Sequence, residues 1–504
     1  MSERVAASLF RHALALQVLA AIVAFSHPTV AQPIVSVQAE SEAAAAAAPT
    51  RVPTLELGHV LARTRAMHPV LAAQIQKIAG SQGKLLSKEG EFDTKLASAG
   101  KWVPQGKYDY GIASVGVEQL TPAWGLRGTA GWRLGSGDVP LYFGDDDTAT
   151  GGEFYLGLAL PLLQDRATDR ARTDVRQAEL GVDATVTDLA LLELQLDLEA
   201  ARAYWDWVAA GSGLLIDEKL LEMAQLRDGQ LEGRVKSGDL PVIDRIENQR
   251  AILSRQGRVV KARQQLEEAA VVLSLYLRDE RGEPMRPEVS QLPPDIAEPG
   301  PPDQTFSPDD VNTAFSKRPD LNRVAADLAI AESELMWAEN QALPRLDASV
   351  EVSQGVAPIP EMSSSLTEVQ LGVKLSIPLQ LRKATGQAAT ARAEAGQLEQ
   401  KARFLRDKIQ ADIDKLRIKL DATFETLTVT RRELEVARQV EAAELRRLEL
   451  GDSTILFVNI REVATADAAR KVVDALADYQ RALAEYGVVT ARGVMAMYPG
   501  AAGP

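Results

Sequence analysis

The chain has 504 residues, 46% hydrophobic and 25% charged, with 56 Lys and Arg against 70 Asp and Glu. The formal charge of −14 argues against a nucleic-acid partner, because phosphates need a basic face. With no cysteine and only four histidines, the composition excludes disulfides, thiolate metal sites, cysteine nucleophiles and an acylated N-terminal Cys, and leaves little for imidazole chemistry.

The N-terminus reads as an address. Arg4 and Arg11 precede an apolar run, Ala13 to Phe25, which is followed by the small-residue exit Thr29-Val30-Ala31. This pattern predicts a signal peptide over 1–31, and the run is too short to cross about 30 Å of hydrocarbon. Residues 32–53, rich in Ala, predict a flexible leader. Beyond them no window of eighteen apolar residues occurs, so no membrane-spanning helix is expected.

The first structural unit is read over 54–282. A helix over 54–89 leads into a segment, 91–160, where aromatics concentrate and polar and apolar residues alternate, as at Tyr108 to Ile112, Trp132 to Leu134 and Phe154 to Leu158. Period-two alternation predicts strands. No proline interrupts the chain between Pro161 and Pro241, which predicts one helix over 162–236, about 110 Å long at 1.5 Å per residue. A turn at Ser237-Gly238-Asp239 precedes a helix over 241–280. There Ile252, Val259, Leu266 and Leu273 form one heptad seam, and Ile246, Leu253 and Val260 a second.

A Pro-rich connector, 283–308, leads to a second unit over 309–492 with the same landmarks. A helix over 309–342 precedes strands within 346–377, at Val350 to Gln354 and Val369 to Ile377. A second long helix is predicted over 379–450, with Ile413, Leu420, Leu427 and Leu434 in heptad spacing and Ile409 and Leu416 beside them. The turn Leu450-Gly451-Asp452 and a helix over 454–492 follow, then a C-terminal tail, 493–504. His68-Pro69 matches Arg318-Pro319, and the LALPL run ending at Leu162 matches the LSIPL run ending at Leu379. The chain is thus an internal duplication. In each copy the two shorter helices together match the long one, so they can stack end to end along it.

The resulting fold class is mainly α with a small β-barrel portion. In a chain with a signal peptide and no spanning helix, aromatic-rich alternating strands predict an outer-membrane barrel. The few strands of one chain cannot close such a barrel, and lipid does not tolerate open edges. Several chains must therefore share it.

On these landmarks, with the LPL and IPL joins and the turns VKSGDLPVID (235–244) and LELGDSTILF (448–457), the sequence resembles the TolC family of outer-membrane efflux and secretion channels over about residues 54–492. The resemblance implies a homotrimer. It would have long coiled-coil helices in a trimeric α-barrel joined to a shared twelve-stranded β-barrel in outer-membrane lipid. It also implies a periplasmic adaptor and an inner-membrane pump of RND or ABC type as partners, and no catalysis. The first-copy strand region is longer than the second, which predicts an added hairpin or a long loop around Gly135 to Gly152.

Family members carry acidic residues six and nine positions after the second turn glycine, at the periplasmic constriction. Here those offsets hold Phe457 and Ile460, and the same offsets from Gly238 hold Asp244 and Glu247. The expectation is an apolar constriction at Phe457 and Ile460 that closes by dewetting, with Asp244 and Glu247 as a cation-attracting ring; packing between helices is the competing role for the two apolar residues. Gly238 and Gly451 permit the chain reversal. Asp239, Asp452 and Ser453 are expected to cap the returning helices, and these exposed turns are the expected adaptor-docking sites. Asp145-Asp146-Asp147 reads as a solvated loop, and Arg461-Glu462 as a surface or intersubunit charge pair. No catalytic set, cofactor motif or metal-ligand cluster stands out. A soluble periplasmic coiled-coil scaffold or adaptor is the alternative to the channel.

Overall fold

The computed structural model describes residues 54–106, 109–137, 148–149, 151–294, 296, 298–356 and 367–498. The expected signal peptide and leader lie outside the described residues, as do Asp145 to Asp147. All described residues belong to one compact unit, Val52–Pro504.

The first copy begins with α1 (Leu57–Met67) and α2 (Pro69–Glu89), followed by strands β1 (Lys95–Val103), β2 (Tyr110–Leu120), β3 (Arg127–Gly137) and β4 (Glu153–Pro161). A long helix α3 (Arg170–Lys236) then turns back into α4 (Val242–Leu273). In the second copy, α5 (Asp310–Lys317) and α6 (Pro319–Asn340) lead to β5 (Arg345–Gly355) and β6 (Thr367–Ser376), then to α7 (Arg382–Glu449) and α8 (Ile455–Val489). Helix α3 has 67 residues and α7 has 68, about 100 Å each.

Several boundaries differ from the sequence reading, each for a local reason. The helices expected over 54–89 and 309–342 are both broken in two, at His68 and Arg318. Each residue precedes a proline and adopts ψ of 124°, because the pyrrolidine ring disfavours the helical region for its predecessor. The long helix starts at Arg170 rather than 162. Asp165 takes a positive φ of 67°, and the Asp169 carboxylate accepts from the Arg172 backbone N–H at 2.9 Å, fixing the N-cap there. The second long helix starts at Arg382 rather than 379, after Leu381 at φ 47°.

The strands form one antiparallel sheet in the order β1-β2-β3-β4-β5-β6. Among the described residues six strands stand where a twelve-stranded trimer requires four per chain. The longer first-copy segment is therefore an added hairpin, and the expected Gly135–Gly152 loop begins inside β3. Below the sheet, α2, α3, α6 and α7 pack side by side, each on the next, while α4 and α8 pack against α3 and α7. One apolar cluster joins Val60 and Leu61 to Tyr204, Trp207, Leu266 and Leu273. A second joins Ile409, Ile413, Leu416 and Leu420 to Tyr479 and Tyr486. Residues of the connector and of the segment after α8 belong to these cores: Leu292, Ile296 and Phe306 pack against them, and Tyr498 accepts from the Trp205 indole at 3.2 Å.

Candidate functional site

The register of the sheet sorts its side chains by chemistry. Following direct partners across all six strands, one row reads Leu96, Val117, Ala130, Leu156, Val352 and Val369. The row one residue along, on the opposite face, reads Lys95, Glu118, Thr129, Gly157, Glu351 and Gln370. The division holds throughout: every charged residue of the six strands lies on the second face, and Trp102, Trp132, Phe154, Leu158, Leu371, Val373 and Leu375 lie on the first. The apolar face is largely exposed in the chain, with Leu371 at 81% and Leu96 and Val373 at 76%. A contiguous apolar sheet face of this extent needs a non-aqueous neighbour.

The charged face is organised rather than merely polar. Arg133 pairs with Glu153 and reaches Glu351 at 3.1 Å, crossing three strands. Its guanidinium also lies 5.3 Å from the centre of the Tyr155 ring, within cation–π range. The Tyr155 side chain lies across Gly116 and Gly131, where a Cβ at Gly131 would come within 2.6 Å of its hydroxyl. Both glycines are thus the floor on which an aromatic side chain lies flat against its own sheet.

At the far end of the long helices, the two hairpin tips share one geometry. Gly238 and Gly451 each have φ of 80°. Asp239 donates its backbone N–H to the Arg234 carbonyl at 2.9 Å, and Asp452 to that of Arg447 at 2.8 Å, closing the left-handed C-terminal motif. The expected caps are absent. The N-cap residues are Pro241 and Thr454, without side-chain hydrogen bonds. Asp239 instead accepts from the Ser237 hydroxyl at 2.9 Å, Asp452 from Arg447 at 3.2 Å, and Ser453 donates to Glu444. The N-cap falls two residues after Asp239 and Asp452, at Pro241 and Thr454, so the expected side chains sit one or two positions too early to cap and bond to the preceding helix and turn instead.

Phe457 and Ile460 occupy the first two turns of α8 and are 50% and 49% exposed, so neither is packed away inside the chain. Asp244 and Glu247 occupy the first two turns of α4, on the other hairpin. Glu247 is engaged by Arg250 of its own helix at 2.7 Å. That hydrogen bond holds its carboxyl below the usual range, and it compensates the charge an acidic ring would present.

Two buried ionic nodes tie the hairpins together, and neither was legible in sequence. Asp217 of α3, fully buried, accepts from Arg258 of α4 at 2.9 Å and from Arg470 of α8 at 2.6 Å. Nearer the tips, Glu462 of α8 accepts from Arg227 of α3 and Arg255 of α4, and Asn459 accepts from both arginines. Glu462 therefore faces inward and does not pair with Arg461, which approaches Glu444 instead at 4.0 Å.

No protein family and no curated protein matches the chain by sequence. Solved structures match it by fold. The Campylobacter jejuni CmeC outer membrane channel superposes with a TM-score of 0.60 at 11% identity, covering 92% of this chain and 94% of that one. The open state of the Neisseria gonorrhoeae MtrE outer membrane channel gives 0.60 at 14%, covering 93% and 98%. The outer membrane protein VceC from Vibrio cholerae gives 0.60 at 14%, covering 87% and 96%. The chain has the fold of these outer-membrane channels over nearly their whole length, and the resemblance drawn from its sequence holds at the level of fold.

Proposed function

We propose that the protein is a trimeric channel of the outer membrane, whose helices extend as a tunnel into the periplasm. It would give substrates an exit from a tripartite assembly with a periplasmic adaptor and an inner-membrane pump. The observation that carries this reading is the two-faced sheet: a predominantly apolar, charge-free surface on one side and every charge of the strands on the other is the pattern of a barrel in lipid with an aqueous lumen. Among the described residues no helix is long and apolar enough to cross a membrane, so the sheet is the element suited to that role.

Oligomerisation is supported by apolar seams that the chain does not use. Ile246, Leu253 and Val260, spaced seven apart on α4, are 52%, 68% and 70% exposed, and Val429 and Val436 on α7 are 60% and 52% exposed. Heptad-spaced apolar residues left bare on long helices call for neighbouring helices. The soluble-scaffold alternative leaves both these seams and the apolar sheet face in water. The turns at Gly238, Asp239, Gly451, Asp452 and Ser453 are the proposed adaptor contacts, and Phe457 and Ile460 the proposed constriction.

Membrane fractionation of the expressed chain, with native mass spectrometry of the detergent extract, tests this reading. Recovery in the outer membrane as a trimer is expected. Full recovery as a soluble periplasmic monomer would falsify it.

A further inference from the structure

Among the described residues the sheet is open: strands β1 and β6 are each paired with a neighbouring strand on one side only, so each has an outer edge that no strand of the chain covers. Both also carry the apolar face to the rim: Leu96 and Trp102 on β1, and Leu371 and Val373 on β6, are more than half exposed. On the channel reading, on which this inference rests, these edges meet hydrocarbon, where an unpaired strand edge is not tolerated. Each edge must find a strand.

We propose that β6 of each chain pairs with β1 of a second copy, so that three copies close an eighteen-stranded barrel rather than a twelve-stranded one. Direction and parity fit. All neighbouring strands are antiparallel and their number is even, so β1 leaves the helical end and β6 returns to it. Side by side, the two edges run antiparallel with their apolar faces on the same side. Closure of one chain on itself does not fit. A six-stranded cylinder has a backbone radius of only about 6 Å, too little for the Tyr155, Arg133, Glu153 and Glu351 side chains that crowd one face.

The helices beneath give an independent measure of width. The four that enter or leave the sheet pack in the order α2, α3, α6, α7, the same order in which β1, β4, β5 and β6 join them. At interaxial distances of 9–10 Å, four helices span about 36–40 Å of wall. Six strands spaced about 4.8 Å apart and tilted about 40° span about 38 Å, whereas four would span about 25 Å. The added strands therefore bring the barrel to the width of its stem. They are also anchored there. The β2–β3 turn sits on the segment leading into α3, where a Cβ at Gly125 would lie 2.9 Å from the Asp165 carbonyl oxygen. Eighteen strands give a backbone radius of about 18 Å against about 12 Å for twelve, a mouth suited to bulkier cargo.

The chain contains no cysteine, so introduced pairs report cleanly. Ala97→Cys or Ala99→Cys on β1 would be combined with Gln370→Cys or Lys374→Cys on β6, all on the charged face. The full chain would be oxidised after extraction in detergent, and the strands counted by electron microscopy of the unmodified protein. Disulfide-linked trimers from one or more pairs, with eighteen strands in the rim, are expected. A trimer with twelve strands overturns this closure and leaves the trimeric channel standing, and so does a disulfide formed within one chain of a trimer. A monomeric extract overturns both.

Discussion

The Arg255 guanidinium donates to the Glu462 carboxylate at 2.8 Å, with both side chains 2% exposed, and so ties α4 of the first copy to α8 of the second. Burial pushes the Arg255 pKa down while the Glu462 hydrogen bond pushes it up; arginine stays charged regardless. The pair is therefore a buried ion pair whose members depend on each other.

Removing one partner strands the other. Glu462→Ala leaves both Arg255 and Arg227 without their shared carboxylate in a dry site, and it is expected to cost about 3–5 kcal/mol. Arg461→Ala, one residue away on the exposed side, is expected to stay within about 0.5 kcal/mol. Thermal unfolding of the two variants in one detergent checks the contrast. Equal Tm values would show that the node does not hold the hairpins together.

The face assignment of the sheet is tested by neighbours in sequence. Leu371 lies on the apolar face and Gln370 on the charged one. Leu371→Arg is expected to cost about 2–4 kcal/mol on insertion if that face meets the bilayer midplane, whereas Gln370→Arg is expected to be nearly neutral. The heat-modifiable, folded fraction in outer-membrane extracts measures both. Equal tolerance would refute a lipid-facing side.

The tip makes a separate claim. Phe457 and Ile460 lie i and i+3 on one face of α8, half exposed, so this face of one copy is open to those of other copies. If they form the constriction, the Phe457→Ala, Ile460→Ala double variant raises single-channel conductance and the leak of antibiotics into cells. Arg250→Gln, which frees Glu247 from its partner at 2.7 Å, should then increase cation preference without widening the pore. Unchanged conductance in the double variant removes the gate from these residues.

What the sequence made legible follows from which constraints are local. The tips at Gly238 and Gly451 are readable because a positive φ at a helix end selects glycine. Long helices are readable from proline-free stretches. The breaks at His68 and Arg318 were present as X-Pro pairs, yet the apolar pattern runs on through them and conceals them. Strand β1 has the small residues Ala97, Ser98, Ala99 and Gly100 at its centre on both faces, too weak a contrast to mark a strand alone; only its pairing with β2 brings out its two faces. Glu462 misleads for the opposite reason. Its sequence neighbour Arg461 suggests a pair, while its true partners lie 207 and 235 residues away.

The asymmetry between the two X-Pro breaks carries a pH dependence. In the second copy Arg318 pairs with Asp320 at 2.6 Å, but in the first copy His68 is buried, stacked 6.1 Å from the Tyr276 ring, and accepts from the Val70 backbone N–H at 3.4 Å. Burial, and then the nearby Arg278 charge, lower the His68 pKa. The unfolded chain, with His near 6.5, therefore binds the proton more readily than the folded one. Stability from this site is fully present above about pH 6.5 and is lost as pH falls through the lowered folded value. His68→Asn keeps a residue that can cap α2 and removes the titration. Its Tm should decline less than that of the parent between neutral and mildly acidic pH, and parallel declines would place the acid sensitivity elsewhere.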